Sequence, residues 1–209
     1  MANDLNALAK RRIALRGWLQ GAKYYRASEA MEWAAAYHQG TRKDGITPEF
    51  SHQIAIASHV RTFEASLLHP EECIIVAFLH DVREDYDVDD IVIRQIFGDL
   101  VADAVDAMTK VFRGVVRDEK AVFEAIGANP IASVVKLCDR IHNHDSMVGV
   151  FTPLKMASYI KETTDFFLPM QKRARRTFCS QEPVYEALGL VLRTQVDMLR
   201  ALSHALLDN

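Results

Sequence analysis

The chain has 209 residues, enough for one domain with a sizeable core and short for several. Hydrophobic residues make up 49% and charged residues 25%, and nine glycines and six prolines are too few for a fibrous or linker-rich chain. The net charge of −3 argues against a nucleic-acid-binding surface, although local basic groups can still hold phosphates.

The N-terminal stretch carries Lys10, Arg11, Arg12, Arg16 and Lys23 with few acids, and it reads as a basic accessory helix over residues 5 to 20. Leu5, Leu8, Leu15 and Leu19 share one side, interrupted by Arg12 and Arg16. A second, alanine-rich helix is predicted from a Ser28 cap to about Gln39, with Gly40 ending it. The loop from Thr41 to Pro48 concentrates positive charge at Arg42-Lys43 and turns at Gly45. A third helix begins near Ser51, with His52, Ile56, Val60, Phe63 and Leu67 on its inward stripe.

Residues 73 to 85 follow His69-Pro70. The apolar run Cys73 to Leu79 is too short to cross a membrane and reads as a buried helix. It ends in His80-Asp81, and the same helix is expected to carry Glu84 and Asp85 one turn further along the same face. Short helices are predicted over Ile91–Phe97, up to Met108, and over residues 115 to 127, with no strong strand pattern anywhere. Asn129-Pro130 opens a helix that buries Ile131, Val134, Cys138 and Ile141, with Val135, Asp139 and Asn143 along its edge. Pro153 opens a helix containing Glu162, interrupted near Pro169, and residues 182 to 207 form a last amphipathic helix. The chain is thus expected to be all-α.

Cys73, Cys138 and Cys179 lie far apart and form no CxxC pair, which points to a reducing, cytoplasmic setting. With no signal peptide and no stretch of 18 apolar residues, no membrane partner is expected. Neither terminal helix decides between packing on its own chain and forming an interface in a homo-oligomer.

Four groups at core-facing or core-edge positions stand out: His52, His80, Asp81 and Asp139. Two imidazoles and two carboxylates suit a borderline-to-hard divalent ion such as Mn²⁺, with Fe²⁺, Co²⁺ and Zn²⁺ also compatible. Four protein ligands leave open positions, as a catalytic site requires. Glu84 and Asp85 would then handle water or a leaving group. Arg42, Lys43, Arg83, Lys110, Arg140 and Lys155 offer positive charge for phosphates.

At these residues the chain resembles the HD hydrolase domain of RelA/SpoT-type enzymes, most closely the free-standing small alarmone hydrolases. The resemblance rests on Ala36–Gly40 with Arg42–Gly45, on His52, on Phe78–Val82 with Glu84-Asp85, on Phe97-Gly98 and on Thr109-Lys110. It continues in Lys136–Asn143 and in Glu162-Thr163 with Pro169. It implies one bundle of about ten helices around a metal site. Residues 1–27 would be an accessory helix, 28–180 the hydrolase core, and 181–209 a C-terminal helix packed on the same domain. It implies Mn²⁺ held by His52, His80, Asp81 and Asp139, and hydrolysis of the 3′-pyrophosphate of (p)ppGpp, or of adenosine counterparts, to pyrophosphate and a nucleoside di- or triphosphate. Glu84 and Asp85 would act on the attacking water, Arg42 and Lys43 would flank the base, and Asn143 would contact the nucleoside, with Glu162 among the substrate-site residues. No synthetase portion follows within the 209 residues, so a hydrolase alone is expected.

The chain departs from the family at Asn143-His144-Asp145-Ser146, where Asn-Met-Arg-Thr is frequent, at Arg83, where an apolar residue is common, and at Phe167, where Tyr is frequent. These departures bear on base and phosphate preference. The competing readings are an HD phosphohydrolase of other nucleotides, such as the 2′-phosphate of NADPH or a (d)NTP, and a non-catalytic alarmone-binding module.

Overall fold

A computed structural model describes residues 2–207. It is helical almost throughout, as expected. Helix α1 (Ala2–Ala22) buries Leu15 and Leu19, each contributing about 1.5–3 kcal/mol of apolar burial. The two arginines that interrupt its stripe both pair with Glu32, so they serve the α1–α2 contact rather than breaking it. Helix α2 (Tyr25–Tyr37) starts three residues before the expected Ser28 cap, and Ser28 instead accepts a hydrogen bond from Gln20.

Helix α3 (Ser51–Arg61) buries His52, Ile56 and Val60. The stripe does not run on to Phe63 and Leu67 as one helix, because a single 3₁₀ turn, Glu64–Ser66, intervenes. Pro70 occupies the first turn of α4 (Pro70–Leu79), where its missing N–H costs nothing. Every residue from Cys73 to Leu79 is buried, and α4 is packed by α2, α3 and the two later helices over Asp99–Met108 and Pro130–Met147.

The single helix predicted over residues 73–85 is interrupted. Helix α4 stops at Leu79, His80-Asp81 form a turn, and α5 (Val82–Tyr86) starts afresh. Asp81 sits at φ −101°, ψ −6°, between the helical and extended regions where many active-site residues lie. Asp87 ends α5 in the left-handed region at φ 52°.

Helices α6 (Asp90–Phe97) and α7 (Asp99–Met108) meet at Gly98, whose φ of 85° requires glycine. A two-stranded hairpin follows, β1 (Val111–Phe112) and β2 (Val115–Val116), closed by Arg113-Gly114 with both φ positive. The helix predicted from residue 115 begins only at Glu119: α8 (Glu119–Gly127) is capped by Asp118, which accepts from Ala121 N at 2.9 Å. Asn129 caps α9 (Pro130–Met147) by accepting from Ile131 N and Ala132 N.

Helix α10 (Pro153–Glu162) continues through a π-helical turn, Thr163–Phe167, into α11 (Leu168–Thr177), and α12 (Glu182–Leu207) closes the described chain. The main core gathers residues from every helix except α10. A smaller apolar cluster, Met147, Met156, Ile160, Val196 and Leu199, joins α9, α10 and α12 and supports Phe151 and Tyr159. No single described helix is long and apolar enough to cross a membrane.

Candidate metal centre and substrate cleft

Helix α3 supplies His52, the α4–α5 turn supplies His80 and Asp81, and α9 supplies Asp139. The structure brings all four together. His52 Nε2 lies 3.2 Å from Asp139 Oδ1 and 4.0 Å from Asp81 Oδ2. His80 Nε2 lies 2.8 Å from Asp81 Oδ2 and 3.9 Å from Asp139 Oδ1. One ligand atom each from His52, His80 and Asp81 falls within 4.8 Å of the others.

The protonation pattern tests whether these residues suit a cation. His80 Nδ1 is 3.1 Å from Ala77 O and donates to it, which turns Nε2 toward the carboxylates. That Nε2 is buried and has no aligned hydrogen-bond partner, although Asp81 Oδ2 is near. Burial disfavours a proton on His80, yet Asp81 and Asp139 outweigh it and raise its pKa. Burial would raise the Asp139 pKa, but Lys136, His52 and His80 hold it well below the carboxylate range. Two ionised carboxylates facing two ring nitrogens call for positive charge between them, and a divalent ion fits.

Groups without a role assigned from sequence brace this set. His142 Nδ1 lies 2.8 Å from His52 Nδ1. Burial, with His52 and Arg42 beside it, drives His142 down to about 3, so it stays neutral and can accept the His52 Nδ1 proton. His52 Nε2 is thereby left for a metal. Lys136 Nζ holds Asp139 Oδ2 at 3.1 Å. Both lie three residues from Asp139 on α9, a spacing that places them on its face and was readable in the sequence.

A cleft of about 400 Å³ adjoins the centre. Arg42, Lys43, Ser51, His142, Asn143, Ser146, Phe151 and Tyr159 line it, as do Leu8 and Arg11 of α1. Asn143 links cleft to centre: its Nδ2 donates to Asp139 Oδ1 at 2.6 Å and its Oδ1 accepts from Arg42 at 3.1 Å. Arg42 also donates to Ser146 Oγ at 3.1 Å. Lys43 and Lys155 approach the Phe151 ring at 5.3 and 4.6 Å. Burial, Lys155 and Arg42 lower the Lys43 pKa, the signature of a site short of negative charge.

Other expected substrate residues point elsewhere. Arg83 is buried, pairs with Asp106 and lies 4.6 Å from the Phe112 ring, so it braces the hairpin and does not reach the cleft. Arg140 pairs with Glu162 at 2.6 Å and stacks on Tyr159 and Phe167. That pair stands behind Tyr159 and is not part of the cleft lining. Phe167 is fully buried beneath Arg140, so the absent hydroxyl faces no substrate. Asp145 accepts from Gln195 of α12 at 2.7 Å and is turned away from the cleft. Lys110 pairs with Glu119.

On α5, Glu84 Oε1 accepts from the backbone N–H groups of Lys110 and Val111, the latter at 3.0 Å. Asp85 has no side-chain hydrogen bond among the described residues. Desolvation, then Asp81, Glu49 and Glu84, push its carboxyl up to about 6. Glu49, which no motif singled out, ties the basic loop to α5. It accepts from His38 at 3.0 Å, from Tyr86 at 2.9 and 3.0 Å, and from Gly40 N at 3.2 Å.

Gly40 is required here by space rather than by a helix end: an added Cβ would lie 2.8 Å from Glu49 Oε2. Gly40→Ala should displace that carboxylate and lower unfolding stability by about 1–2 kcal/mol, the scale of one hydrogen bond to a charged group. Urea unfolding of the metal-free protein checks this, and an unchanged midpoint would show that Glu49 yields freely.

A family model described as HD domain matches residues 30–175. The chain is 32% identical over 144 residues to a probable guanosine-3′,5′-bis(diphosphate) 3′-pyrophosphohydrolase of Synechocystis sp., covering 65% of this chain and 18% of that protein. It is 30% identical over 149 residues to the guanosine-3′,5′-bis(diphosphate) 3′-pyrophosphohydrolase of Aquifex aeolicus, covering 69% and 21%. A GTP pyrophosphokinase of Streptomyces antibioticus is 29% identical over 153 residues, covering 69% and 17%. The chain therefore spans about a fifth of the length of these curated relatives. The His-Asp pair at the α4–α5 turn, its partners from α3 and α9, and the match over most of the chain lead to one assignment: the chain belongs to the HD domain family.

Proposed function

We propose that this protein hydrolyses the 3′-pyrophosphate of guanosine tetra- or pentaphosphate, or of the adenosine counterparts, releasing pyrophosphate and a nucleoside di- or triphosphate. The observation that carries the reading is the junction of two features: the His52, His80, Asp81 and Asp139 set opens through Asn143 onto a cleft bearing Arg42 and Lys43. The relatives named as 3′-pyrophosphohydrolases support the substrate class.

His52, His80, Asp81 and Asp139 would hold one divalent ion, with Mn²⁺ the best fit to a mixed nitrogen and oxygen set. When bound, the ion supplies Lewis acidity toward a phosphoryl oxygen and acidifies water. Arg42 and Lys43 bind phosphate and flank the base, with Lys155 reinforcing their charge. Asn143 orients the nucleoside end while holding Asp139. Asp85, raised toward neutrality, takes the proton from the attacking water. Water attacks the phosphorus joined to the 3′ oxygen, that P–O bond breaks, pyrophosphate takes the new oxygen, and the proton Asp85 took from the water passes to the departing 3′ oxygen, which leaves as a hydroxyl. Glu84, anchored on the hairpin, keeps α5 in place for this step.

The test is a panel of ppGpp, pppGpp, ppApp, pppApp, NADPH and dGTP, each with and without Mn²⁺, with products separated by chromatography. Pyrophosphate from the 3′-diphosphorylated nucleotides, dependent on the metal, is expected. Release from NADPH or dGTP alone would move the reading to a different nucleotide phosphohydrolase. Tight binding of ppGpp without turnover would reduce the protein to a binding module.

A further inference from the structure

Helix α1 precedes residue 30, where the family match begins, yet it forms one wall of the cleft. Its inward stripe is Leu8, Arg11, Leu15 and Leu19, at intervals of three, four and four, so all four side chains face the body of the protein. Leu15 and Leu19 are buried in the core. Arg11 stays exposed on that inward stripe, because the surface beneath it is the cleft.

The neighbouring arginines behave differently. Arg12 and Arg16 share the one carboxylate of Glu32 and fasten α1 to α2, which makes the helix a fixed support. Arg12 also lies over the Phe50 ring at 5.7 Å. Arg11 has no carboxylate within 4.0 Å among the described residues, and it lines the same cleft as Arg42, Lys43, His142 and Asn143. A guanidinium held on a braced helix, with no carboxylate partner among the described residues and lining one cleft with Arg42 and Lys43, is suited to an anion with charge spread over several phosphates.

We infer that Arg11 is a substrate-binding residue: α1 supplies a third cation to the cleft, which grips the polyphosphate part of the nucleotide together with the Arg42-Lys43 loop. This deepens the proposed hydrolysis and rests on it for the identity of the nucleotide. Arg11 touches neither the metal set nor Asp85, so its loss should weaken binding more than turnover.

The test compares wild type with R11Q and R11K. Turnover of ppGpp and pppGpp with Mn²⁺ should show KM raised roughly tenfold in R11Q, the larger share of the effect falling in KM, with R11K recovering part of it. The gap should narrow as salt is raised, since an exposed cation is screened. Calorimetric binding of ppGpp to the metal-free proteins gives a second readout that does not depend on hydrolysis. Weaker binding by R11Q supports the inference even if the wild type turns nothing over, an outcome that counts only against the proposed reaction. Equal KM and equal binding in wild type and R11Q overturn it, and so does a wild type that binds no ppGpp.

Discussion

Asp139→Asn is expected to abolish specific divalent-metal binding and, with it, hydrolysis. The substitution keeps the volume of the side chain, removes its charge and turns one of its two acceptor oxygens into an N–H donor. Asp139 is the buried carboxylate of the set, 5% exposed, and it faces both imidazoles from α9. Its ionised form is held by Lys136 on one oxygen and by Asn143 on the other. An amide there offers a neutral oxygen at best. Removing a group behind a metal ligand typically costs 10–100-fold in affinity, so losing the ligand's charge should cost more than about 100-fold. Lys136 would then be left partly buried without its counter-ion, and some loss of stability is expected as well.

Asp139→Ala is the cruder variant, since it also opens a cavity. Lys136→Gln provides the control, with all four ligands kept and only the grip on Asp139 loosened. Metal titration by calorimetry and metal analysis of dialysed protein read out binding, and circular dichroism reads out folding. A folded Asp139→Asn protein that still takes up Mn²⁺ with wild-type affinity would remove Asp139 from the ligand set.

The four candidate ligands, which the structure brings together, were legible because they break a pattern. His52 occupies a core-facing position between apolar residues, and Asp139 runs along the edge of an apolar face, so each is anomalous by burial alone. The 3.6-residue period gives burial direction, and burial direction is what a metal ligand betrays. The kink at His80-Asp81 was not legible. It depends on one residue's backbone angles, and the i, i+4 spacing to Glu84 and Asp85 looks unbroken on paper.

The direction of long cationic side chains was equally hidden. Arg83, Arg140 and Lys155 are all cations near the motifs, but the first two find Asp106 and Glu162. A flexible side chain goes to the nearest carboxylate or aromatic face, and that neighbour lies more than twenty residues away in sequence in both cases. Glu49 escaped for the same reason: its partners are His38 just past α2, Tyr86 on α5 and the Gly40 backbone. The hairpin escaped because two-residue strands carry no measurable alternation.

Asp85→Asn should trade activity for stability, and pH separates the two effects. Asp85 faces Asp81, Glu49 and Glu84, and these together with desolvation raise its carboxyl from 3.8 to about 6. The folded state of the metal-free protein therefore holds this proton more tightly than the unfolded chain does. The stabilisation from that proton is complete below the unfolded value near 3.8 and is lost as pH rises through about 6. Above that, the folded protein carries an ion that its neighbours repel. Asparagine removes the ion, so the metal-free variant should melt at a higher temperature than wild type at pH 7.5, and the two should converge at pH 4. Turnover should move the opposite way. Without a group to take the proton from water, kcat should fall by roughly 10²–10⁴ while metal still binds. In the wild type, kcat/KM should rise with pH and level off once Asp85 is ionised. With the metal bound, the charge on Asp81 is offset, so that limb should lie below about 6. The charge cluster would then be a functional strain of the kind enzymes carry at their sites rather than a packing error. Two results would sink the assignment: a variant that keeps its kcat, which would pass the role to Glu84 or to no carboxylate at all, or a melting difference that is the same at pH 4 and pH 7.5.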